Sequence, residues 1–364
     1  MGQQRETARW HLRRPDRVVY LAVYGSLVFG GLLSSRQPQL RRFLFVIFSL
    51  LLFAFVAFRF QVGCDWSGYQ QNYEAARYLT LEDAVARQEP GYWLLLTQIH
   101  AIGLEYPYLN FLMTIPFFWG LARLAAREPD PLAIVIMAFP VLIINLAMSG
   151  IRQGAAVGFI CFAFIAFRER RLAAYVASVL IASTVHSSAV VFLALAPLVK
   201  FPLTRMTTML SGILVLPGAY FMLSDTMEFY SDRYVGAGAD AAGALYRSGM
   251  LAATGCFFLL TLRKAYRERF PADYQLTLIG AWVMLATLAV VPISTVISDR
   301  FGYYMVPIQL MIMARIPYLS SSRNPALSAA PYIALGLVLL VWTSYSALFV
   351  QCYLPYQTWL AWRD

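Results

Sequence analysis

Apolar runs long enough to cross a bilayer recur along the whole of this sequence, and they restrict what it can fold into. About 30 Å of hydrocarbon takes about 20 apolar residues to cross as a helix. Lipid offers no hydrogen bonds to the backbone, so only helices or closed barrels can cross it. The Leu-, Ala- and Phe-rich runs are too long and too continuous for the alternating strands of a barrel. Candidate spans fall near 18–34, 42–60, 91–104, 107–123, 131–149, 152–167, 172–186, 188–200, 206–223, 246–262, 274–292, 300–317 and 330–350. The expected fold is all-α: a polytopic transmembrane helical bundle of about 11–13 spans, some of them re-entrant or half-spans. Composition agrees, because 13% charged residues is about half of what a soluble surface carries. No soluble domain or tandem repeat interrupts the pattern. Residues 1–364 therefore read as one transmembrane domain with two outer-face loops, 61–90 and 224–243.

A net charge of +10 would suggest nucleic acid for a soluble protein. In a membrane protein it reflects Lys and Arg gathered in cytoplasmic loops, so no nucleic-acid partner is expected. Arg168, Arg170 and Arg171 form one basic loop, and Arg263, Lys264, Arg267 and Arg269 another, with Lys200, Arg205 and Arg323 elsewhere. Placing all of these on one side puts Arg152, His186, the 224–243 loop and Asp299 together on the other. The first third fits this scheme only if one early segment is re-entrant. The best candidate is 91–104, which is short and carries His100. The four cysteines show no metal-ligand or redox spacing. Three lie in apolar runs, where cysteine acts as a small hydrophobe.

Ionisable residues in or at the edge of spans are costly and mark working positions. Gly150, Gly154 and Gly158 share one helical face that allows close helix approach, and Arg152 and Gln153 lie off that face at the outer edge. An arginine there can hold a phosphate with two parallel hydrogen bonds. His186 lies at an outer helix junction, as a general base or as a donor to a pyrophosphate. Asp299-Arg300 begins a span that continues through Tyr303 and Tyr304: either the two charges neutralise each other, or Arg300 binds phosphate while Asp299 orients it. Arg59, Asp65, Trp66 and Tyr69, then Glu89 and Tyr92, mix aromatic faces with carboxylates. That mixture suits carbohydrate and equally suits an interfacial aromatic belt. Asp65 and Glu89 are the candidates for a base that deprotonates an acceptor hydroxyl.

There is no Walker loop, no Rossmann glycine pattern and no Asp-X-Asp pair. ATP and nucleotide-sugars are thus unexpected, as is any metal or cofactor. A transporter should show internal repeats and charges near the midplane. This chain shows neither.

Taken in order, Phe58-Arg59-x-x-Val62-Gly63-x-Asp65-Trp66-x-x-Tyr69, Glu89-Pro90-Gly91-Tyr92, Ile151-Arg152-Gln153, His186-Ser187-Ser188-Ala189 and Asp299-Arg300 resemble the EpsG family of Wzy-like polysaccharide polymerases. The late Tyr353-Leu354-Pro355-Tyr356 is also similar, and the resemblance runs from about residue 40 to the end. It implies a glycosyltransferase in the bacterial inner membrane that works at the periplasmic face on undecaprenyl-pyrophosphate-linked oligosaccharide repeat units. A flippase and a chain-length regulator would be its partners. By position, Arg152, Gln153, His186 and Arg300 would bind pyrophosphate, and Asp65, Glu89 or His186 would do proton chemistry. Arg59, Trp66, Tyr69, Tyr92, Ser187, Asp299, Tyr303 and Tyr304 would line the path of the sugar or lipid. The alternatives are an O-antigen ligase, a lipid-phosphate-sugar glycosyltransferase, or a flippase for the same lipids.

Overall fold

The computed structural model describes residues 17–215, 243–319 and 325–360. The 224–243 loop (apart from Gly243), the distal part of the 206–223 span and Arg323 lie outside the described residues. The protein is a polytopic helical membrane protein. In chain order its helices are α1 (Val18–Leu33), α2 (Pro38–Ala57), α3 (Trp66–Ala76), α4 (Leu81–Ala86), α5 (Pro90–Ala101), α6 (Pro107–Ala125), α7 (Pro131–Ala147), α8 (Ile151–Arg168) and α9 (Leu172–Val185). There follow α10 (Ser187–Lys200), α11 (205–215), α12 (Ala244–Arg269), α13 (Pro271–Val290), α14 (Thr295–Leu319), α15 (Pro325–Tyr345) and α16 (Ala347–Tyr353). Helices α2, α5, α6, α7 and α13 each begin on a proline. That ring fixes the right φ, and its missing N–H would have no helical partner there.

Contacts between helix ends define the two ends of the bundle. At one, Arg41 pairs with Asp130, Arg127 with Glu169 and Arg168 with Asp273, and Gln275 donates to Leu198 O. The sequence's basic clusters around 41, 168, 200 and 263–269 therefore share one end. At the other end Arg17 donates to Ser344 O, Glu89 pairs with Arg152, and Arg247 pairs with Asp299. The start of α1, whose side the sequence left open, belongs to this second end.

The region read as a 61–90 loop is largely helical, folded into α3 and α4. Helix α5 turns back rather than crossing. At about 18 Å it is too short to span the hydrocarbon, and both of its ends lie at the second end. Glu89 precedes its first turn, and His100 Nε2 in its last turn lies 2.5 Å from Tyr73 O on α3. Helix α10 does cross although it has only 14 residues, because Ser187–Leu195 is 3₁₀. The longer rise of that helix carries the segment about 25 Å.

Helix α8 is the buried centre of the bundle, whereas α2 faces outward. Its Gly158 packs backbone to backbone against Pro116 and Gly120 of α6, leaving no room for a Cβ on either glycine. The basic end is closed by a buried charge cluster. Arg315 grips Glu128 with two hydrogen bonds of 2.5 and 2.6 Å. It also reaches Asp273 at 2.9 Å and the Tyr266 hydroxyl at 2.6 Å. The second arginine, Arg168, pairs with Asp273, so two carboxylates balance two guanidinium groups.

The cysteine reading needs correction for two residues. Cys64 and Cys352 form a disulfide. No spacing rule could reveal it, because 288 residues separate them and only the fold brings them together. Cys161 (buried) and Cys256 (exposed) remain thiols. Denatured protein alkylated without reductant should therefore take up label at two cysteines, and at all four after reduction. Uptake at four without reductant would rule the disulfide out.

Candidate functional site

The site begins where α2 ends. Arg59 is buried and donates to Val62 O (3.0 Å), Val56 O (2.7 Å) and Asn110 Oδ1 (3.1 Å). These bonds fold the chain back on itself. Gly63 follows at φ +111°, its Cα against the Met148 carbonyl so that no side chain fits. A glycine here meets both a backbone and a packing requirement. The turn sets Asp65 beside Ser149, whose hydroxyl donates to Oδ2 at 3.3 Å. From the other side Gly63 N–H donates to Cys352 O at 2.7 Å, next to the disulfide. Asp65 keeps its solvent access. Burial within the recess nonetheless raises its pKa above the usual aspartate value, outweighing Ser149, Arg152 and Arg300, which favour the charged form.

Glu89 is the hub of the recess. It takes a left-handed backbone conformation (φ 61°) just ahead of α5, and its side chain is buried. One carboxylate oxygen receives Arg152 Nη1. The other receives the Ser187 backbone N–H at 2.9 Å and lies 3.9 Å from His186 Nδ1. Burial opposes its ionisation, but Arg152, His186 and the Ser187 N–H prevail and hold its pKa below the ordinary glutamate value. Beneath the Arg152 guanidinium lie the rings of Tyr92 at 5.1 Å and Tyr69 at 5.6 Å, a cation–π floor. His186 Nδ1 also shares a 2.8 Å hydrogen bond with Ser188 Oγ, which meets the Tyr304 hydroxyl at 3.0 Å.

Helix α14 supplies the third wall. It starts at Thr295, so Asp299 and Arg300 lie one turn inside it rather than at its start. Asp299 neither neutralises nor orients Arg300. Its partner is Arg247 of α12 at 2.5 Å, whose guanidinium stands 5.2 Å over Tyr303. Tyr303 donates to Asn145 Oδ1. Gln153 donates to the Arg300 carbonyl at 2.6 Å, tying α8 to α14. The Arg300 side chain has no carboxylate within ion-pair distance among the described residues, and it is half-buried beside the recess.

Asp65, Glu89, Arg152, His186 and Arg300 thus meet in one place. Several residues expected to line the ligand path, together with Gln153, which was expected to bind pyrophosphate, have little exposed surface, as do Glu89 and His186 themselves. Arg59, Tyr92 and Tyr304 are fully buried, and Trp66, Tyr69, Tyr303 and Gln153 nearly so. Ser187 offers its backbone N–H to Glu89. Arg247 escaped the sequence reading, although an arginine inside an apolar run was signal enough. Among the described residues no group of three or more His, Cys, Asp or Glu side chains is placed to hold a metal ion.

A family model for the EpsG family matches residues 42–358, which include every residue of this recess. The chain belongs to the EpsG family. EpsG proteins are Wzy-like polysaccharide polymerases, so the recess belongs to a membrane-embedded polymerase of the glycosyltransferase type. No curated protein and no solved structure matches the chain.

Because Glu89 joins α5, α8 and the α9–α10 junction, Glu89→Gln should lower stability by about 1–3 kcal/mol at neutral pH. Its depressed pKa contributes stability that is present above the ordinary glutamate value of about 4.3 and lost as pH falls through the depressed one. Thermal unfolding in detergent across pH 3–7 should show the variant losing part of that acid dependence. An unchanged profile would mean that Glu89 does not tie these segments together.

Proposed function

We propose that this EpsG polymerase transfers a growing glycan from a polyprenyl pyrophosphate to the non-reducing end of a second lipid-linked repeat unit, at the periplasmic face of the inner membrane. The observation that carries the reading is a pair of unmatched charges. Asp65 and Arg300 share the recess closely enough for Arg300 to act on the Asp65 charge, yet neither is ion-paired among the described residues. A carboxylate and a guanidinium held open together are set for a ligand that brings an acid proton at one end and a diphosphate at the other.

The acceptor hydroxyl oxygen attacks the anomeric carbon of the donor sugar. A new C–O bond forms as the bond from that carbon to the pyrophosphate oxygen breaks, and the lipid pyrophosphate leaves with the electron pair. Asp65 takes the hydroxyl proton, a role favoured by its raised pKa. Glu89 is a poor base, since Arg152 and Ser187 stabilise its anion. Arg300 and Arg152 meet the charge that grows on the leaving group, as fixed donors that need little reorganisation. Two observations support the face. The Cys64–Cys352 disulfide belongs in an oxidising compartment, and the opposite end carries the arginines and lysines of a cytoplasmic side. A flippase would then have to deliver the lipid-linked units to this face.

Purified protein in vesicles, given a lipid-linked repeat unit, should produce a ladder of polymers without any nucleotide. A single product on a foreign acceptor would point to a ligase instead. Arg300→Ala should slow elongation by about 10²–10³-fold while the protein stays folded, and wild-type rates would refute a leaving-group role. Wild-type turnover should rise with pH through a value above the ordinary aspartate pKa of about 3.9, because the base must be ionised to act. Asp65→Asn should remove that acid limb and cost about 10²–10⁴-fold in rate. Retention of the limb would exclude Asp65 as the base.

A further inference from the structure

A groove of about 300 Å³ lies on the outside of the bundle, far from the recess, between α6, α8 and α9. Phe159, Phe162, Ile165 and Ile181 line its walls. Trp119, 58% exposed, stands at its edge with its ring against Phe162 at 4.8 Å. At the basic end the lining changes abruptly to Arg123, Arg127, Arg171 and Glu169. Glu169 is shared by Arg127 and Arg171, and Arg123 has no carboxylate partner among the described residues. Three guanidinium groups against one carboxylate leave this rim with a net positive charge of two.

The dimensions are those of one leaflet. From Arg171 to Ile181 the groove follows ten residues of α9, about 15 Å, half of the roughly 30 Å hydrocarbon core. Its volume is at the low end for a small-molecule site, too small for a partner helix. An apolar slot one leaflet deep, with cationic side chains where the headgroups lie, matches a lipid carrying a negative headgroup. Basic pockets between transmembrane helices are known to take such headgroups.

We propose that this groove is a binding site for one anionic phospholipid of the leaflet at the basic end, with the phosphate at Arg123 and Arg171 and an acyl chain along Phe162 and Ile181. The site is separate from the polymerase recess and does not rest on the reading given above. Removing two basic side chains at a membrane surface should weaken such binding about thirtyfold.

The test uses the full chain in nanodiscs of phosphatidylcholine doped with phosphatidylglycerol brominated on its acyl chains, read by quenching of tryptophan fluorescence. Trp119→Phe isolates the signal of the groove by difference. The wild type should show Trp119 quenching that saturates at low phosphatidylglycerol fractions, with brominated phosphatidylcholine at least tenfold weaker. Arg123→Gln with Arg171→Gln should shift the midpoint about thirtyfold. Lys264→Gln, at the same end but off the groove, should leave it unchanged. Ser178→Phe, which fills the slot without touching a charge or adding a second fluorophore to it, should abolish saturation. If the wild type quenches equally with both lipids, or if either the double variant or Ser178→Phe keeps the wild-type midpoint, the proposal fails. It fails equally if polyprenyl phosphate displaces the brominated lipid at lower concentration than unbrominated phosphatidylglycerol, because the occupant is then the carrier lipid.

Discussion

A guanidinium or carboxylate inside a bilayer has no bulk water to solvate it, so each needs a partner or a wet recess. The two ends of this bundle answer that requirement differently. At the basic end Arg315 and Arg168 are matched against Glu128 and Asp273, and Arg315 is fully enclosed with both carboxylates. At the other end the pairing is deliberately incomplete in its result: Arg152 has Glu89 and Arg247 has Asp299, but Arg300 and Asp65 are left open. The closed cluster fixes how the turn between α6 and α7, α8, α13 and α14 meet. That fixed crossing holds the opposite ends of α8 and α14 apart, so that Arg300 on α14 and Asp65 beside the start of α8 stay unmatched.

Glu89 shows how the recess keeps its shape. Its carboxylate faces an arginine on α8, a backbone N–H at the start of α10 and the imidazole between α9 and α10. Two segments distant from it in sequence, around residues 152 and 186–187, thus converge on one anion. The tyrosines below Arg152 and Arg247 add cation–π contact without using those guanidinium groups' hydrogen-bond donors. The donors of the recess are thus oriented by the groups behind them, so an anion entering it would call for little reordering of the protein.

Much of this was legible in the sequence because it follows from local rules. Apolar length marked the spans, Lys and Arg bias sorted their ends, and ionisable residues at span edges pointed to Arg152, His186 and Arg300. The brevity of 91–104 pointed to α5 as the segment that turns back. What was not legible depends on chain crossings. Arg247 meets Asp299 across 52 residues, and Arg315 meets Glu128 across 187. No periodicity records either distance. The aromatic residues could not be assigned from sequence for a related reason: tyrosine at a membrane edge suits a sugar path and a packed floor alike, and sequence does not record which rings pack beneath a guanidinium group.

The disulfide has a consequence for how the molecule is made. Cys64 emerges early in synthesis and Cys352 very late, with α5 through α15 inserted in between. Until α16 arrives, the Asp65 turn lacks both its covalent tether and the Cys352 carbonyl that receives Gly63 N–H. A nascent chain therefore acquires its arginines, its buried tyrosines and its Glu89 hub before it acquires a fixed Asp65. The order of translation therefore leaves the Asp65 turn as the last part of the recess to be tied in place.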